Sequence, residues 1–523
     1  MHMLGRRGMV ASPHYMATAA GVAVLRQGGN AVDAAIATNS VLAVITPYLC
    51  GIGGDLFALV RTPGGDMIGL NASGRAPEEA TPERVRELAG SQRMPERGPL
   101  PINVPGCVRG WQDLHDRLGR LPLDVVLQEA IRLAHDGFPV TDTFARTLDL
   151  VAPILHPDTP AAATYLPGGR APSPGSILRL PQLAATLTRI GNDGAASFYS
   201  GDIAREIARS IRAIGGLISE DDLLGHSSDW VEPLWVRYHD VDVYELPPNS
   251  QGIVALMMLS TLDQLSADLT NEAERVYAIA EAARLAYADR DAHLTDLEHM
   301  TLDPRTLLTP EHAQEHASKI EDQALAPAHQ PERGDTAYMC AADHDGLLVS
   351  LIESNYMGIG SGVMAGETGV MLHNRGAWFS LDPGHVNVIA PRKRTMHTLM
   401  PGMALRDGKP WLVFGTMGGS GQPQIHAQIL TRILDQGLSI GEAIDAPRFD
   451  AVVGTGEGGR PGLAIEGRFD DSIIENARAR GNAVQVLEPY TSQMGHAHAI
   501  EILPDGVYAG ASDPRTEGLA LGW

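Results

Sequence analysis

Apolar residues recur every three to four positions from residue 15 to residue 45, a period that predicts α-helix. The run is broken at Gly28-Gly29-Asn30, so we expect two packed helices with a Gly-Gly-Asn C-cap between them. Elsewhere the pattern predicts mainly helical structure at 105–137 and 180–224, and single helices at 253–263, 272–289 and 422–436.

Shorter apolar runs between turn residues predict β-strands. A glycine-rich segment, Cys50 to Asp55, leads into the run Leu56–Arg61. Because a phosphate-binding loop needs the order strand, loop, helix, we interpret these glycines as sites of close backbone packing. Further strands are expected at 370–372, 411–416, 462–466, 484–488, 497–503 and 507–510.

A β-hairpin is predicted in the middle of the chain. It consists of Thr336–Ala342, the turn Asp343–Gly346 and Leu347–Ile352. Pairing of Ala342 with Leu347 would place Thr336 opposite roughly residue 353. Ser354 and Asn355 would then flank Thr336 at the same end of the hairpin.

Thr336 directly follows Asp335 and is a candidate nucleophile. A threonine can act alone only if its own α-amine is free to serve as base, which requires cleavage of the Asp335–Thr336 bond. Residues 303–333 are polar and have no sustained apolar period beyond one short helical stretch, so we expect an accessible linker before this bond. The alternative is that Asp335-Thr336 is an ordinary strand entry.

Gly418-Gly419 lies between a predicted strand and a predicted helix. Consecutive N–H groups at a helix N-terminus can bind an anion, and an acyl-transfer enzyme needs such donors as an oxyanion hole. An isolated Gly-Gly pair is also common in plain tight turns, and this alternative stays open.

The composition narrows the possible partners. A formal net charge of −23 argues against nucleic acid and anionic membranes, since both select basic surfaces. No apolar stretch approaches the length of a membrane span, and no signal peptide is visible, so we expect a cytoplasmic protein. We expect no metal and no cofactor, since metal-ligand spacing is missing among five histidines. These are His14, His397, His426, His496 and His498.

Together these segments resemble the γ-glutamyltranspeptidase family of N-terminal nucleophile hydrolases. The resemblance runs over nearly the whole chain and rests on GMVASPHYMATAAGVAVLRQGGNAVDAA, GDTAYMCAADHDG, GSGVMAGETGVMLHNRG, PRKRTMHTLMP, FGTMGGSGQPQ and GASDPRTEG. It implies an α+β fold, a four-layer αββα sandwich formed by two fragments of one precursor. Autocatalytic cleavage would give a large, mostly helical subunit 1–335, with its linker at about 303–335, and a small subunit 336–523. The two would stay associated, and a higher oligomer is possible.

The resemblance also implies roles for individual residues. Thr336 would be the nucleophile in self-cleavage and in catalysis, with its own α-amine as base. Ser354 stands where the family has a second threonine that hydrogen-bonds the nucleophile. Gly418 and Gly419 match the oxyanion-hole glycines.

The substrate-binding positions depart from the family pattern. Arg375 and Trp378 stand where transpeptidases usually have a Gln and an Asp that holds the glutamyl amine, and His397-Thr398 replaces a Ser-Ser pair. The remaining expected substrate contacts are Arg75, which lies two places after the family's carboxylate clamp, Tyr356 in place of an asparagine, and the neighbouring Asn355.

Three functional hypotheses follow. The family favours hydrolysis or transfer of a γ-glutamyl group from a small-molecule amide such as glutathione. The lost acid and the added arginine instead favour an acyl group with a carboxylate but no ammonium, as in glutaryl or cephalosporin acylases, or a biosynthetic hydrolase acting on an unusual bond. The last hypothesis is an uncleaved, inactive homologue that only binds.

Overall fold

The structure is a computed structural model that describes residues 2–325, 334–451 and 460–523. The α-helices in these ranges are α1 Tyr15–Arg26, α2 Ala31–Ile45, α3 Pro82–Ala89, α4 Cys107–Leu118, α5 Leu123–Asp136, α6 Asp142–Val151, α7 Pro160–Tyr165, α8 Pro181–Asp193, α9 Ala196–Tyr199, α10 Asp202–Ala213, α11 Glu220–Leu224, α12 Gly252–Asp263, α13 Glu272–His293, α14 Pro310–Lys319, α15 Gln422–Leu434, α16 Ile440–Asp445 and α17 Asp471–Ala479.

The strands in the same ranges are β1 Met3–Gly5, β2 Gly8–Ser12, β3 Asp55–Arg61, β4 Met67–Ala72, β5 Phe138–Pro139, β6 Ile177–Leu178, β7 Asp229–Val231, β8 Leu234–Tyr238, β9 Val241–Glu245, β10 Asp335–Asp343, β11 Leu348–Tyr356, β12 Gly402–Arg406, β13 Lys409–Met417, β14 Phe449–Asp450, β15 Gly462–Glu466, β16 Ala483–Leu487, β17 His496–Leu503, β18 Val507–Ser512 and β19 Leu519–Gly522.

Two seven-stranded antiparallel sheets form the centre of the molecule. Sheet I has the order β1-β18-β17-β13-β12-β9-β8, and sheet II has the order β19-β2-β10-β11-β3-β4-β7. One apolar cluster contains side chains from both sheets, among them Tyr338 and Ile352 of sheet II and Val413 and Ile500 of sheet I. The two sheets therefore pack face to face.

The outer face of each sheet is covered by helices. One cluster joins sheet II to helices that include α1, α2, α4 and α5, and another joins sheet I to α12, α13 and α15. The mixed α/β class predicted from the sequence is thus confirmed. The break at Gly28-Gly29-Asn30 is confirmed, but not Asn30 as part of a C-cap, because α1 has its C-cap at Gln27. Asn30 is the N-cap of α2, where its side chain accepts from the N–H groups of Val32 and Asp33.

Strands that precede and follow residue 335 are interleaved in both sheets. In sheet I, β1 pairs with β18 and β9 with β12; in sheet II, β2 lies between β19 and β10, and β3 pairs with β11. The Asp335–Thr336 bond therefore does not divide the chain into two separately packed units. Separating 1–335 from 336–523 would break the hydrogen bonds of both sheets.

The central hairpin forms, but our expected register is wrong by one residue. Ala342 pairs with Leu348, not with Leu347. Asp343 explains the difference, because its Oδ1 accepts from the N–H groups of Asp345 at 2.9 Å and Leu347 at 3.1 Å. These two bonds hold Leu347 inside the turn and lengthen the loop by one residue.

A bulge between Asp335 and Ala337 further shifts the open end of the hairpin. As a result, Asp335 pairs with Tyr356, while Ala337 is the residue that faces Glu353. The extra residue of the bulge lies on β11, so Thr336 stands opposite Ser354 and Asn355, with its side chain next to Ser354.

One other expectation is wrong. The segment 370–372 makes only isolated bridges, Met371 with Met364 and Leu372 with Gly53, so it is not a strand. The short helical stretch expected within the linker is α14, which has ten residues. Residues 326–333 of that linker lie outside the described residues.

Candidate active site

Strand alternation directs Thr336 toward the space between the sheets. Tyr338 belongs to the cluster between the sheets, whereas Ala337 and Met339 pack toward the helices. Because side chains two apart on a strand share a face, Thr336 lies on the same face as Tyr338, at the end of the sheet pair. By the same rule Ser354 shares the inner face with Ile352.

Thr336 and Ser354 form a compact hydrogen-bonded group, and each is at most 2% exposed. Thr336 Oγ1 donates to Ser354 Oγ at 3.2 Å, and Ser354 Oγ donates to the carbonyl oxygen of Asp335 at 2.5 Å. The N–H of Tyr356 donates to Ser354 Oγ at 2.7 Å. One hydroxyl therefore contacts both the candidate nucleophile and the carbonyl of the bond that would be cleaved.

Asp335 continues this group on the other side of the bond. Its carboxylate accepts from the N–H of Gly358 at 3.0 Å, and burial raises its pKa to about 6. A cavity of about 310 Å³ adjoins Asp335 and Met417, with His14, Arg146 and Arg515 in its wall. The bond before Thr336 is thus next to open space.

The loop Gly418-Gly419 follows β13 directly and leads into α15. Gly418 has φ +152° and Gly419 has φ +54°, both in the region that favours glycine. The ring of Tyr338 lies directly over Gly415, where an added Cβ would come within 2.3 Å of it. Since Gly415 is three residues before the loop and Tyr338 two residues after Thr336, the loop and the nucleophile lie at the same end of the sheet pair.

Gln251 joins this loop to a second segment of the site. Its Nε2 donates to the carbonyl oxygens of Gly419 at 2.9 Å and Thr398 at 3.1 Å. Arg290 donates to its Oε1 at 3.3 Å. In the sequence, the segment that contains Gln251 indicates only a turn. A polar residue at the start of an apolar helix could nevertheless have marked Gln251 as a candidate site residue.

Arg375 is the buried cation of the site. It is 1% exposed, its Nη2 donates to Thr398 Oγ1 at 3.0 Å, and its guanidinium carbon lies 3.7 Å from the ring centre of Tyr356. Its Nε and Nη1 are buried without a hydrogen-bond partner among the described residues. Burial lowers the pKa of this guanidinium to about 10, as expected when a charge is taken out of water.

His397 was expected to contact substrate, but both of its ring nitrogens are engaged elsewhere. Nδ1 accepts from the N–H of Leu399 at 3.2 Å, which leaves Nε2 to donate to Asp55 Oδ2 at 3.0 Å. Burial lowers the pKa of His397 to about 3, so the ring is neutral. The arrangement gives His397 a positioning role, and a direct substrate contact remains a prediction.

Asp55 is fully buried behind the site. Its Oδ2 accepts from His397, and its Oδ1 accepts from the N–H of Gly74 at 2.7 Å. The pKa of Asp55 is held well below its usual range, because the neighbouring His373 and His397 outweigh the effect of burial. The sequence did not point to Asp55, which follows a glycine segment interpreted only as packing.

Arg75 lies in a different environment from Arg375. Its guanidinium is 22% exposed and makes ion pairs with Asp229 at 3.4 Å, Asp296 at 3.5 Å and Glu298 at 3.9 Å. These carboxylates already compensate its charge. The prediction that Arg75 binds substrate is untested, and the contacts favour a structural role.

Three predicted substrate contacts remain, and two of them, Asn355 and Tyr356, point to different sides of β11. Asn355 points away from Thr336, because its Nδ2 donates to the carbonyl of Pro47 at 3.4 Å and its side chain packs on Gly51. Tyr356 stays with the nucleophile and has φ +77°, a strained conformation typical of functional positions. Trp378 is half-buried, with its ring 6.1 Å from that of Tyr356.

Comparison with known proteins decides the family. The γ-glutamyltranspeptidase family model matches residues 17–523. The chain belongs to the γ-glutamyltranspeptidase family. The resemblance read from the sequence is therefore confirmed, and the family comprises hydrolases, transferases and acylases.

Individual relatives are similar over their full length. The chain is 40% identical to "Oxamate amidohydrolase proenzyme" of Klebsiella pneumoniae subsp. pneumoniae, over 99% of this chain and 98% of the relative. It is 38% identical to "Glutathione hydrolase-like YwrD proenzyme" of Bacillus subtilis, over 99% of both chains. The crystal structure of a cephalosporin acylase from Bacillus halodurans matches with a TM-score of 0.94 and 38% identity, over 100% of this chain and 97% of that one.

Within the ranges that the structure describes, none of the helices has the length and apolar character needed to cross a bilayer.

Proposed function

We propose that this member of the γ-glutamyltranspeptidase family is a self-processing amidohydrolase with Thr336 as its N-terminal nucleophile. Thr336 Oγ1 attacks the carbonyl carbon of Asp335, the Asp335–Thr336 C–N bond breaks, and an ester forms. Water then hydrolyses the ester, leaving a carboxylate on Asp335 and a free α-amine on Thr336. The fragments of 335 and 188 residues remain joined as one four-layer αββα sandwich.

The contacts of Ser354 support this step. Its hydroxyl donates to the Asp335 carbonyl at 2.5 Å and accepts from Thr336 at 3.2 Å, so it polarises the electrophile beside the nucleophile. These contacts argue against an inactive binding homologue, which would have no need to retain them. The relatives' designation as proenzymes points to the same processing.

The processed enzyme would then act on an external amide. The free α-amine of Thr336 titrates near pH 7.7–8.0 in unperturbed form and is suited to accept the proton of its own hydroxyl. Thr336 Oγ1 attacks the amide carbonyl, the amine leaves with that proton, and water or an acceptor amine releases the acyl group. The N–H groups at Gly418 and Gly419 would stabilise the oxyanion.

Arg375 is the observation that carries the substrate assignment. A buried guanidinium with two nitrogens, Nε and Nη1, that lack hydrogen-bond partners is costly in the free enzyme. A carboxylate on the acyl group would compensate the charge and accept charge-assisted hydrogen bonds from this guanidinium. We therefore assign to this enzyme an acyl group that ends in a carboxylate.

The same surroundings disfavour an ammonium on that acyl group. Asp55 is the acid whose charge reaches Arg375, but its two oxygens are occupied by His397 and Gly74. The acyl group we propose is accordingly of the oxalyl or glutaryl class. Oxamate, in the name of one relative, carries a carboxylate on its amide carbonyl and no ammonium.

A γ-glutamyl donor such as glutathione is the competing candidate. It is favoured by relatives named glutathione hydrolase, including one from Escherichia coli that is 32% identical over 98% of this chain. Binding it would place an ammonium beside a buried arginine. We expect such turnover to be slow.

Mass spectrometry of purified protein, combined with an amide assay, tests the proposal. We expect two polypeptides that meet at Asp335 and Thr336, and release of ammonia from oxamate or of amine from a glutaryl amide. A preparation that contains only the full-length chain, or cleaved protein without activity on any carboxylate-bearing amide, would contradict it.

A further inference from the structure

A cluster of potential metal ligands lies on the outer helices, apart from the catalytic residues. It consists of Asp289 on α13 and of His312 and His316 on α14. Asp289 Oδ2 lies 2.7 Å from His312 Nε2 and 3.0 Å from His316 Nε2. One carboxylate oxygen and two imidazole nitrogens therefore converge on a single point.

The sequence explains why the imidazoles converge. His312 and His316 are four positions apart on a helix, so both side chains lie on one face, and their ring centres are 4.4 Å apart. His-x3-His on a helix is a spacing used by zinc sites. Our expectation of no metal considered five other histidines and overlooked this pair.

We propose that Asp289, His312 and His316 bind a divalent transition-metal ion of the zinc type. Two neutral imidazoles and one carboxylate form a donor set that Zn²⁺ favours, with bonds of about 2.0–2.2 Å and a fourth position left for water. A tetrahedral ion separates its ligand atoms by about 3.4 Å, so the present N–O separations of 2.7 and 3.0 Å would open by about 0.7 and 0.4 Å. The ligands share one negative charge, which leaves the loaded site at +1.

The composition of α14 indicates what a metal ion at this site would do, namely hold the helix in place. The helix buries only Ala313, His316 and Ala317, so apolar burial holds it weakly. Glu315 lies between the two histidines in the sequence of this helix, and its carboxylate accepts from Lys319 Nζ at 2.7 Å. Glu315 therefore does not compete with Asp289 for the two histidines. A metal ion would clamp α14 to α13.

The clamp would act on α13, a helix that also contacts the glycine loop and Gln251 of the candidate site. On α13, Tyr287 donates to the carbonyl of Ser420, and Arg290 donates to Gln251. Asp289 lies between these two residues in sequence. Under the proposed cleavage, α14 is also the last helix in the described part of the large subunit, so the ion would hold this part of the fragment in place.

Zinc binding by untagged protein, stripped with a chelator and dialysed, tests the inference. We expect one equivalent of Zn²⁺ to bind and to raise the melting temperature, and Co²⁺ to give the visible absorption bands of a low-symmetry site. His312→Gln, at a half-buried position, should weaken binding by more than the roughly 10–100-fold that loss of an outer-shell partner causes.

The matched control is His239→Gln. His239 also pairs with a carboxylate, Asp435 at 2.8 Å, but has no second histidine beside it. This variant should retain one equivalent of zinc. Asp289→Asn gives a second variant that keeps side-chain size, and melting of the metal-free proteins shows whether each is folded. Absence of stoichiometric binding in the parent, or equal retention of zinc by His312→Gln and His239→Gln, would overturn the proposal.

Discussion

The two halves of the candidate site differ in how their polar groups are satisfied. At the nucleophile, Thr336, Ser354, the Asp335 carbonyl and the Tyr356 N–H form a closed set of hydrogen bonds. At the proposed acyl-binding side, Arg375 keeps two buried nitrogens, Nε and Nη1, without hydrogen-bond partners in the described part of the chain. The first half is complete without substrate, whereas the second needs a ligand to complete it.

This difference separates the two roles that we propose for the site, chemistry in the first half and acyl-group selection in the second. The chemistry requires the same groups for every amide, so the nucleophile half can stay the same while the acyl group varies. In our proposal Arg375 makes the acyl-binding half specific, since an unpaired buried charge selects a ligand of opposite charge. The proposed substrate of this chain therefore depends on the second half.

Thr336→Ala disables the nucleophile half and has the largest expected effect. We expect one uncleaved polypeptide without amidase activity, because the variant removes the hydroxyl that attacks the Asp335 carbonyl, while Ser354 donates to the oxygen of that carbonyl. Thr336→Ser is the control and should still process. A denaturing gel and intact mass distinguish the two, and complete cleavage of Thr336→Ala at the same bond would refute the assignment.

Gly419→Val tests the oxyanion loop. A β-branched residue disfavours φ +54°, so the N–H would move, and loss of one oxyanion donor costs about 10²–10³ in kcat. Gly437→Val is the matched control and should keep normal turnover. Gly437 also has a positive φ, +71°, but it has open surroundings and follows the C-terminal end of α15, away from the loop at the N-terminal end. Normal turnover by folded Gly419→Val would place the oxyanion hole elsewhere.

Arg375→Met tests the acyl-binding half. Losing about two charged hydrogen bonds should lower kcat/KM for a glutaryl anilide by about 100-fold and leave a pentanoyl anilide nearly unchanged. The melting temperature should hold or rise, since the variant removes a buried charge with unpaired N–H groups.

Arg75→Met is the control for this experiment. Its ion pairs are partly exposed, and such pairs contribute little, so we expect similar kinetics on both anilides. An equal loss on both anilides in Arg375→Met, or a selective loss in Arg75→Met, would reverse the assignment of the two arginines.

The smallest effect concerns the pH dependence of the precursor. Burial raises the pKa of Asp335 to about 6 from 3.8, so the folded chain holds this proton more tightly than the unfolded chain. Stability from this group is therefore present at low pH and lost as the pH rises through about 6. In a Thr336→Ala background, Asp335→Asn should raise the melting temperature at about pH 7.5 and change it little near pH 4.5. An equal shift at both pH values would contradict this.

Much of the fold could be predicted from the sequence, because the spacing of apolar residues indicates most helices and many strands. The helices at 15–45 and the hairpin after residue 335 follow from apolar spacing and turn residues. Strands β1, β2 and β19 were missed, since they are short and their pairing joins the two ends of the chain. Such long-range pairing leaves no local signal.

The site was predicted less completely than the fold. Thr336, Ser354 and the glycine pair could be found by their motifs. The face of Asn355 depends on strand alternation after a bulge, and the partner of His397 is Asp55, 342 residues away. Neither follows from local sequence. Gln251 and His312–His316 were visible as polar positions on helices and were overlooked.

The most direct test of the account is a comparison of kcat/KM for glutaryl and γ-glutamyl anilides on the processed wild-type enzyme. The two acyl groups share the carboxylate and differ only in the ammonium. An ammonium without an acidic partner costs about 1–3 kcal/mol, so we predict that the glutaryl anilide is favoured by about 5- to 150-fold. Efficient γ-glutamyl turnover with no glutaryl activity would contradict the account and would require an acid that holds the amine.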